Sequence, residues 1–175
     1  KIRLMCQQTA SFISIKLWDQ YESNKKVLTK FWQDVKTGEL AEGEDIADAL
    51  TRFGLSNRND YKLMLISRQE HAAEIYQYLK NNINEGVFID EIKCIVLICQ
   101  QKEFTLLQPR LAEYLKTLSP KTLLVGTSEI VEPENLNKAY VLADNTMEVC
   151  RRMNLYGINN AEDTVPFGVL LRARN

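Results

Sequence analysis

The sequence has 175 residues, of which 45% are hydrophobic and 26% charged, and this balance is typical of a folded globular protein rather than a disordered chain. A net charge of −1 gives no general attraction to phosphate backbones, so we do not expect this stretch to hold DNA by itself. No apolar run approaches the roughly 20 residues that span a bilayer, and the first residues lack a signal-peptide pattern. We therefore expect a cytoplasmic protein without a membrane segment.

The cysteines and the histidine do not indicate a metal site. Cys6, Cys94, Cys99 and Cys150 form no C-x-x-C pair, and each lies within an apolar pattern. Buried, reduced thiols are the simplest interpretation. His71 is the only histidine and has polar neighbours, which favours a surface position. The sequence thus predicts no metal ion and no cofactor.

The chain begins with a long predicted helix. Apolar residues recur at spacings of three and four over residues 2–36, with a polar interruption at residues 19–26. A helix of about thirty residues is roughly 50 Å long, which exceeds what a compact domain of this size needs. Such helices often pair with a partner or connect two domains, and the alternative is a helix packed back on its own domain.

Glycines end the next predicted elements. Gly38 is a natural left-handed stop for the long helix, and Gly54 closes a short helix that carries Ile46, Leu50 and Phe53 on one face. An unbroken apolar run then predicts a first strand at residues 61–67, covered on both faces. The following Ser-Arg-Gln-Glu sequence matches a capping box, which predicts that Ser67 opens the next helix.

The middle of the chain predicts a hairpin and a helix. Residues 87–89 and 93–99 are two strand candidates that turn about Asp90 and Glu91, and the second is apolar throughout. Residues 104–118 then follow a helical pattern that Pro109 interrupts. Pro109 could mark the true first turn, in which case the residues before it form a loop.

The last third predicts a strand at residues 122–126 and a long amphipathic helix at 133–154, opened by Pro133. Residues 154–160 are predicted as a loop. Residues 165–171 could form a last strand or begin a linker, and Pro166 would confine such a strand to a sheet edge.

The order of elements predicts an α/β (α+β) domain, a sheet covered by helices. After the leading helices the order is β-α-β-β-α-β-α, with a possible final strand. One hairpin between helical crossovers is typical of the split βαβ, ferredoxin-like arrangement.

The usual catalytic motifs are absent from the sequence. There is no glycine-rich phosphate loop and no nucleophile elbow. Asp90 and Glu91 could bind a divalent ion on their turn, although neighbouring acids on turns are usually just solvated. Arg151 and Arg152 most simply complement a helix dipole, with a ligand phosphate as the alternative. No catalytic residue is predicted.

Two parts of the sequence resemble one family of bacterial regulators. Residues 31–40 (FWQDVKTGEL), residues 46–55 (IADALTRFGL) and residues 61–66 (YKLMLI) resemble the central region of PucR/CdaR-type transcription regulators. The run LVGTS at residues 124–128 resembles a later segment of the same proteins, together with the helix pattern that continues to Met153. The resemblance covers roughly residues 27–171.

This resemblance implies a domain organisation. Such regulators carry a degenerate GGDEF-like domain, similar in fold to nucleotide cyclases, between a sensory region and a C-terminal helix-turn-helix. By this comparison residues 1–37 are a connector and dimerisation helix, residues 38–160 are the GGDEF-like domain, and residues 161–175 are a last strand or a linker. The DNA-binding helices would begin about where the chain ends, at Asn175.

The resemblance also implies a function. The turn at residues 89–93 (IDEIK) lacks the glycines of an active cyclase, and Ser67 follows the first strand where a cyclase places a metal-binding aspartate. Two-metal phosphoryl chemistry without its carboxylates is not expected. We therefore expect a non-catalytic regulatory and dimerisation fragment of a bacterial transcriptional regulator, forming a homodimer and reaching DNA through another domain. The alternative is a degenerate cleft near Ser67, Asp90 and Thr127 that still binds a small-molecule or nucleotide effector.

Overall fold

The computed structural model describes residues 2–39, 46–55, 60–67, 71–118 and 123–172, and within these ranges it describes the side chains of residues 20–164, 166 and 167. The helices in this part of the chain are α1 (Ile2–Thr37), α2 (Ile46–Arg52), α3 (Ala72–Asn82), α4 (Gln101–Thr117), α5 (Leu136–Met153) and α6 (Ala161–Arg172). The strands are β1 (Tyr61–Ser67), β2 (Gly86–Asp90), β3 (Cys94–Gln100), β4 (Leu124–Thr127) and β5 (Gly157–Asn160). A short 3₁₀ turn, Pro133–Asn135, leads into α5.

The five strands form one mixed sheet in the order β2-β3-β1-β4-β5. Neighbours among the first four strands are antiparallel, and β5 is parallel to β4. The chain from β1 to β4 therefore has βαββαβ connectivity with β1 and β3 at its centre, which is the ferredoxin-like arrangement. The predicted α/β (α+β) fold class and the long N-terminal helix are confirmed.

Helices cover both faces of this sheet. Leu63 and Leu65 of β1 face α1, α2 and α5, whereas Met64 and Ile66 face α3 and α4. Because successive side chains of a strand point to opposite faces, a strand buried on both sides reads as an unbroken apolar run. All seven residues of β1 and all seven of β3 are buried, as that run predicted.

The predicted glycine stops are confirmed by backbone geometry. Gly38 has φ of 72° and Gly54 has φ of 93°, the left-handed region that glycine adopts without a steric penalty. The N–H of Leu55 bonds the carbonyl of Leu50 at 3.0 Å, so the chain folds back over the last turn of α2.

One predicted helix start is wrong, and for a second helix the structure decides between two alternatives. Helix α3 begins at Ala72 after His71, which has φ of 70°, so Ser67 does not cap it. Helix α4 runs from Gln101 through Pro109, and the residues before this proline are helix rather than loop. Phe104 and Leu107 are buried against the sheet, and tertiary burial of this kind outweighs the hydrogen bond that a proline removes.

The predicted C-terminal elements need a correction as well. Residues 165–171 lie in helix α6, so the last strand expected there is wrong. The fifth strand lies earlier, within the predicted loop, and pairs Gly157 with Leu124 and Asn160 with Thr127. Helix α6 is fixed to α5 by a buried contact of 3.2 Å between the hydroxyls of Thr146 and Thr164.

Candidate functional site

The three residues of the predicted ligand cleft lie at different places on the sheet. Ser67 and Asp90 end β1 and β2 at the same end of the sheet, where they pair with Cys94 and Ile95. Thr127 is level with Met64 of β1, three residues before Ser67. At about 3.3 Å per residue, this places Thr127 roughly 10 Å further along the sheet.

Their side chains are also directed differently. Ser67 follows the alternation of Leu65 towards α1 and α5, whereas Asp90 is level with Ile95 on the face that α3 and α4 cover. The Ser67 hydroxyl accepts a 3.1 Å hydrogen bond from the N–H of Leu124. The Thr127 hydroxyl donates a 2.9 Å bond to Oδ1 of Asn160. The structure does not bring the three residues into one cleft.

What the structure does assemble is a cluster around Glu91, on the turn between β2 and β3. The N–H of Glu91 donates a 3.0 Å bond to the carbonyl of Cys94, which fixes the turn. Its carboxylate Oε1 accepts a 2.8 Å bond from the indole N–H of Trp32 and an ion-paired bond from the ammonium of Lys36. A single carboxylate thus holds two donors of α1.

Helix α1 presents these two donors together because Trp32 and Lys36 are four residues apart and share one face. Phe31, Trp32 and Val35 are buried in the core. The side chains of Lys36 and Glu91 are only 19% and 22% exposed, so their ion pair is partly shielded from solvent.

Helix α5 completes the cluster from the other side. The amide of Asn137 donates to the carbonyls of Val35 and Lys36 at 2.9 and 3.0 Å. The last carbonyls of a helix have no partner within it, so Asn137 satisfies two of them. The ring of Tyr140 packs edge-on against Trp32 with centroids 5.4 Å apart. We call Trp32, Lys36, Glu91, Asn137 and Tyr140 the Glu91 clamp.

Two acidic groups in or beside this cluster have raised pKa values. Burial, and then the Glu91 carboxylate, raise the pKa of Cys94 to about 12. Burial, followed by Asp144 and Glu91, raises the pKa of Tyr140 to about 12. Both groups are protonated at neutral pH, and a protonated thiol is a poor nucleophile.

The predicted alternative of a divalent ion at Asp90 and Glu91 lacks a matching geometry. The Glu91 carboxylate is directed at α1, and Asp90 lies on the opposite face of the sheet. Within the described ranges, no group of three or more histidine, cysteine, aspartate or glutamate side chains could hold a metal ion.

The remaining predicted residues occupy ordinary positions. His71 lies partly exposed, 3.1 Å from the carboxylate of Glu74. Arg151 and Arg152 both pair with Glu148 one turn earlier in α5.

The described cysteines agree with the prediction of buried thiols. Cys94, Cys99 and Cys150 are buried and free of disulfides. The side chain of Cys6 lies outside the described residues.

The clamp was not foreseen from the sequence. The spacing of Trp32 and Lys36 on one helix face was the only local signal. Nothing local shows that Asn137 meets α1 about a hundred residues earlier, since that contact depends on how α5 crosses the sheet.

Comparison with known proteins gives no assignment. No family model, no curated protein and no solved structure matches the chain. The PucR/CdaR-type resemblance therefore stays a prediction. Among the described helices, none combines the length and the apolar character needed to cross a membrane.

Proposed function

We propose that this chain is a non-catalytic regulatory module, in which α1 passes a signal to the sheet through the Glu91 clamp and pairs with a second copy. The observation that supports this proposal most directly is that the Glu91 carboxylate bonds both Trp32 and Lys36. It ties the end of a long helix to the turn that, in the resemblance, corresponds to the signature turn of a cyclase.

The length of α1 supports a connecting role. Its 36 residues span about 54 Å. Among the described side chains of α1, which begin at Gln20, those that enter the core come from its last turns, whereas Tyr21 and Val27 are 59% and 56% exposed. A helix that projects from its domain is only marginally stable in water unless it packs against something. Pairing with α1 of a second copy would provide that packing.

The proposal includes that the module has no catalytic activity. The hydrogen bonds of the nearby polar side chains support this part of the proposal. The Glu91 carboxylate is bonded to two cationic or N–H donors, and the Ser67 hydroxyl is bonded to Leu124. Two-metal phosphoryl transfer needs carboxylates that are free to bind the metals. The separation of Ser67, Asp90 and Thr127 likewise gives no support to an effector site built from them.

The resemblance to PucR/CdaR-type regulators suggests which kind of protein contains this module. We propose that the module belongs to a cytoplasmic bacterial transcription regulator whose DNA contacts are made by another domain. A net charge of −1 agrees with this division, since a DNA-binding surface is usually basic.

Sedimentation velocity over a range of protein concentrations tests the association. We expect a dimer that the substitution Val27→Glu converts to monomer, because a charge would enter the helix pair. The substitution Gln33→Glu, at another exposed position of α1, should leave the dimer intact. A wild-type chain that is monomeric at every concentration would contradict the proposal.

A further inference from the structure

The outer edge of β2 carries backbone groups that β3 does not use. The bond from the N–H of Glu91 to the carbonyl of Cys94 marks these two residues as a hydrogen-bonded pair. Such pairs alternate along an antiparallel ladder, so Ile89 and Val87 also bond β3, whereas Phe88 and Gly86 direct their N–H and C=O groups outward. No described strand lies on that side of β2.

A groove of about 480 Å³ runs along this edge, and we call it the edge groove. Helix α1 forms one wall through Lys25 and Leu28, and α3 forms the other through Tyr76 and Lys80, with Phe88 of β2 between them. Its position between the two helical layers is the position that a sixth strand of the sheet would occupy.

Apolar side chains make up the larger part of the inner surface of the edge groove. Its apolar side chains include Leu28, Phe53, Ile83, Val87 and Phe88. An added strand would place alternate side chains against the two walls.

Two lysines give the edge groove a positive rim. The ammonium of Lys80 lies 4.8 Å from the ring centroid of Tyr76 and 6.0 Å from that of Phe88. Within the described part of the chain, neither Lys80 nor Lys25 forms a salt bridge with a carboxylate. Asp90 adds one acidic group at the end of the groove. Carboxylates on an incoming strand would therefore find two cations to pair with.

We propose that the edge groove binds an extended, acidic segment of a partner protein, which adds a strand beside β2. Backbone hydrogen bonds to Phe88 would fix the register of the added strand. Its apolar side chains would pack on the inner surface of the groove, and its acidic side chains would pair with Lys25 and Lys80. A second copy of β2 is a poorer occupant, because it would bring Lys25 and Lys80 of both copies to one interface, where like charges repel. This inference does not depend on the proposed role of α1.

The test uses fluorescence anisotropy with a labelled peptide of alternating glutamate and valine. We expect saturable binding to the full chain, weakened at least tenfold by the double substitution of Lys25→Glu and Lys80→Glu. The control is Lys26→Glu, which makes the same charge change as Lys25→Glu alone on the same helix but lies outside the edge groove. Its affinity should equal that of the wild type.

A second pair of variants tests the backbone bonds. Proline is tolerated on an edge strand where its missing N–H would face outward, so Phe88→Pro should fold. It should bind the peptide more weakly than Phe88→Ala, because only the proline variant also loses the outward N–H.

Several results would overturn the inference. One is the absence of saturable peptide binding. Another is a loss of affinity with Lys26→Glu equal to that of the double variant. A third is binding of a peptide of alternating lysine and valine that is as tight as binding of the acidic peptide. The chain could also form a dimer that Phe88→Pro dissociates and that Val27→Glu leaves intact. That result would show that a second copy of the chain occupies the edge groove.

Discussion

The indole N–H of Trp32 donates a 2.8 Å hydrogen bond to Glu91, which lies 59 residues further along the chain. Trp32 is 1% exposed, so its N–H has no access to bulk water. The same carboxylate pairs with Lys36. This contact joins the end of α1 to the β2–β3 turn.

The substitution Glu91→Ala should destabilise the fold by about 1–3 kcal/mol, because it leaves the buried N–H of Trp32 without an acceptor. Urea unfolding monitored by tryptophan fluorescence measures this loss directly.

Two control variants separate the hydrogen bond from the charge. Glu91→Gln keeps an acceptor for Trp32 and loses only the ion pair, so it should cost less than Glu91→Ala. Glu113→Ala removes the exposed pair with Lys116, which is worth less than about 1 kcal/mol. Equal effects of Glu91→Ala and Glu113→Ala would show that the clamp adds nothing to stability.

The substitution Asn137→Ala should loosen the C-terminal turn of α1, because the carbonyl of Lys36 loses the Asn137 amide, whereas the carbonyl of Val35 keeps the N–H of Gly38 at 3.3 Å as its donor. We expect a loss of about 1–2 kcal/mol and faster amide hydrogen exchange at residues 28–37. Asn137→Asp should cost more, since a carboxylate would meet the negative end of the helix dipole. Unchanged exchange in α1 for both variants would remove Asn137 from the clamp.

The substitution Gly126→Ala should destabilise the contact between β4 and α5. An added Cβ would lie 2.5 Å from the backbone carbonyl oxygen of Ala143 and 2.7 Å from Cγ of Met147. Overpacking against backbone typically costs about 1–3 kcal/mol. Thermal unfolding followed by circular dichroism measures the effect.

Gly86→Ala is the matched control for that experiment. Its Cβ would meet the side-chain methyl groups of Ile83 and Leu97 at 2.9 and 3.1 Å rather than a backbone atom, so we expect a smaller loss than at Gly126. A larger loss at Gly86 than at Gly126 would contradict the close packing of β4 on α5.

Much of the fold could be predicted because its central strands carry a strong local signal. The apolar runs of β1 and β3 indicated burial on both faces, and Gly38 and Gly54 marked two helix ends. Strand β5 carried no such signal, since Gly157–Asn160 has one apolar residue and owes its conformation to pairing with β4. Residues 165–171 were expected to form a last strand or a linker, whereas they lie in helix α6, which packs on α5 through Thr146 and Thr164.

The site was harder to predict because it depends on strand register and helix crossing. The resemblance implied that Ser67 and Thr127 lie in one cleft, but the antiparallel pairing of β1 and β4 places Thr127 level with Met64, three residues from Ser67. From the sequence, Glu91 was only one of two neighbouring acids, with Asp90, on a predicted turn. Its actual partners, Trp32 and Lys36, lie on a helix whose path across the sheet no local pattern encodes.

The buried thiol of Cys99 should make the fold sensitive to alkaline pH. Burial, and then the neighbouring Glu103 carboxylate, raise its pKa from 9.0 to about 12. Between these two values the folded thiol stays protonated while the unfolded thiol ionises, so unfolding releases a proton. The free energy of unfolding therefore falls as pH rises through this window, by about 1.4 kcal/mol per pH unit for each such thiol.

The variant Cys99→Ala isolates this contribution, because the other groups that titrate in the same range are unchanged. Urea unfolding at several pH values in that window should give a shallower decline for Cys99→Ala than for the wild type. Cys94→Ala should behave in the same way, since burial also raises the pKa of Cys94 to about 12. If the wild type and both variants lose stability at the same rate with pH, these thiols ionise as readily in the folded protein as in the unfolded chain, and they cannot be buried as the sheet places them.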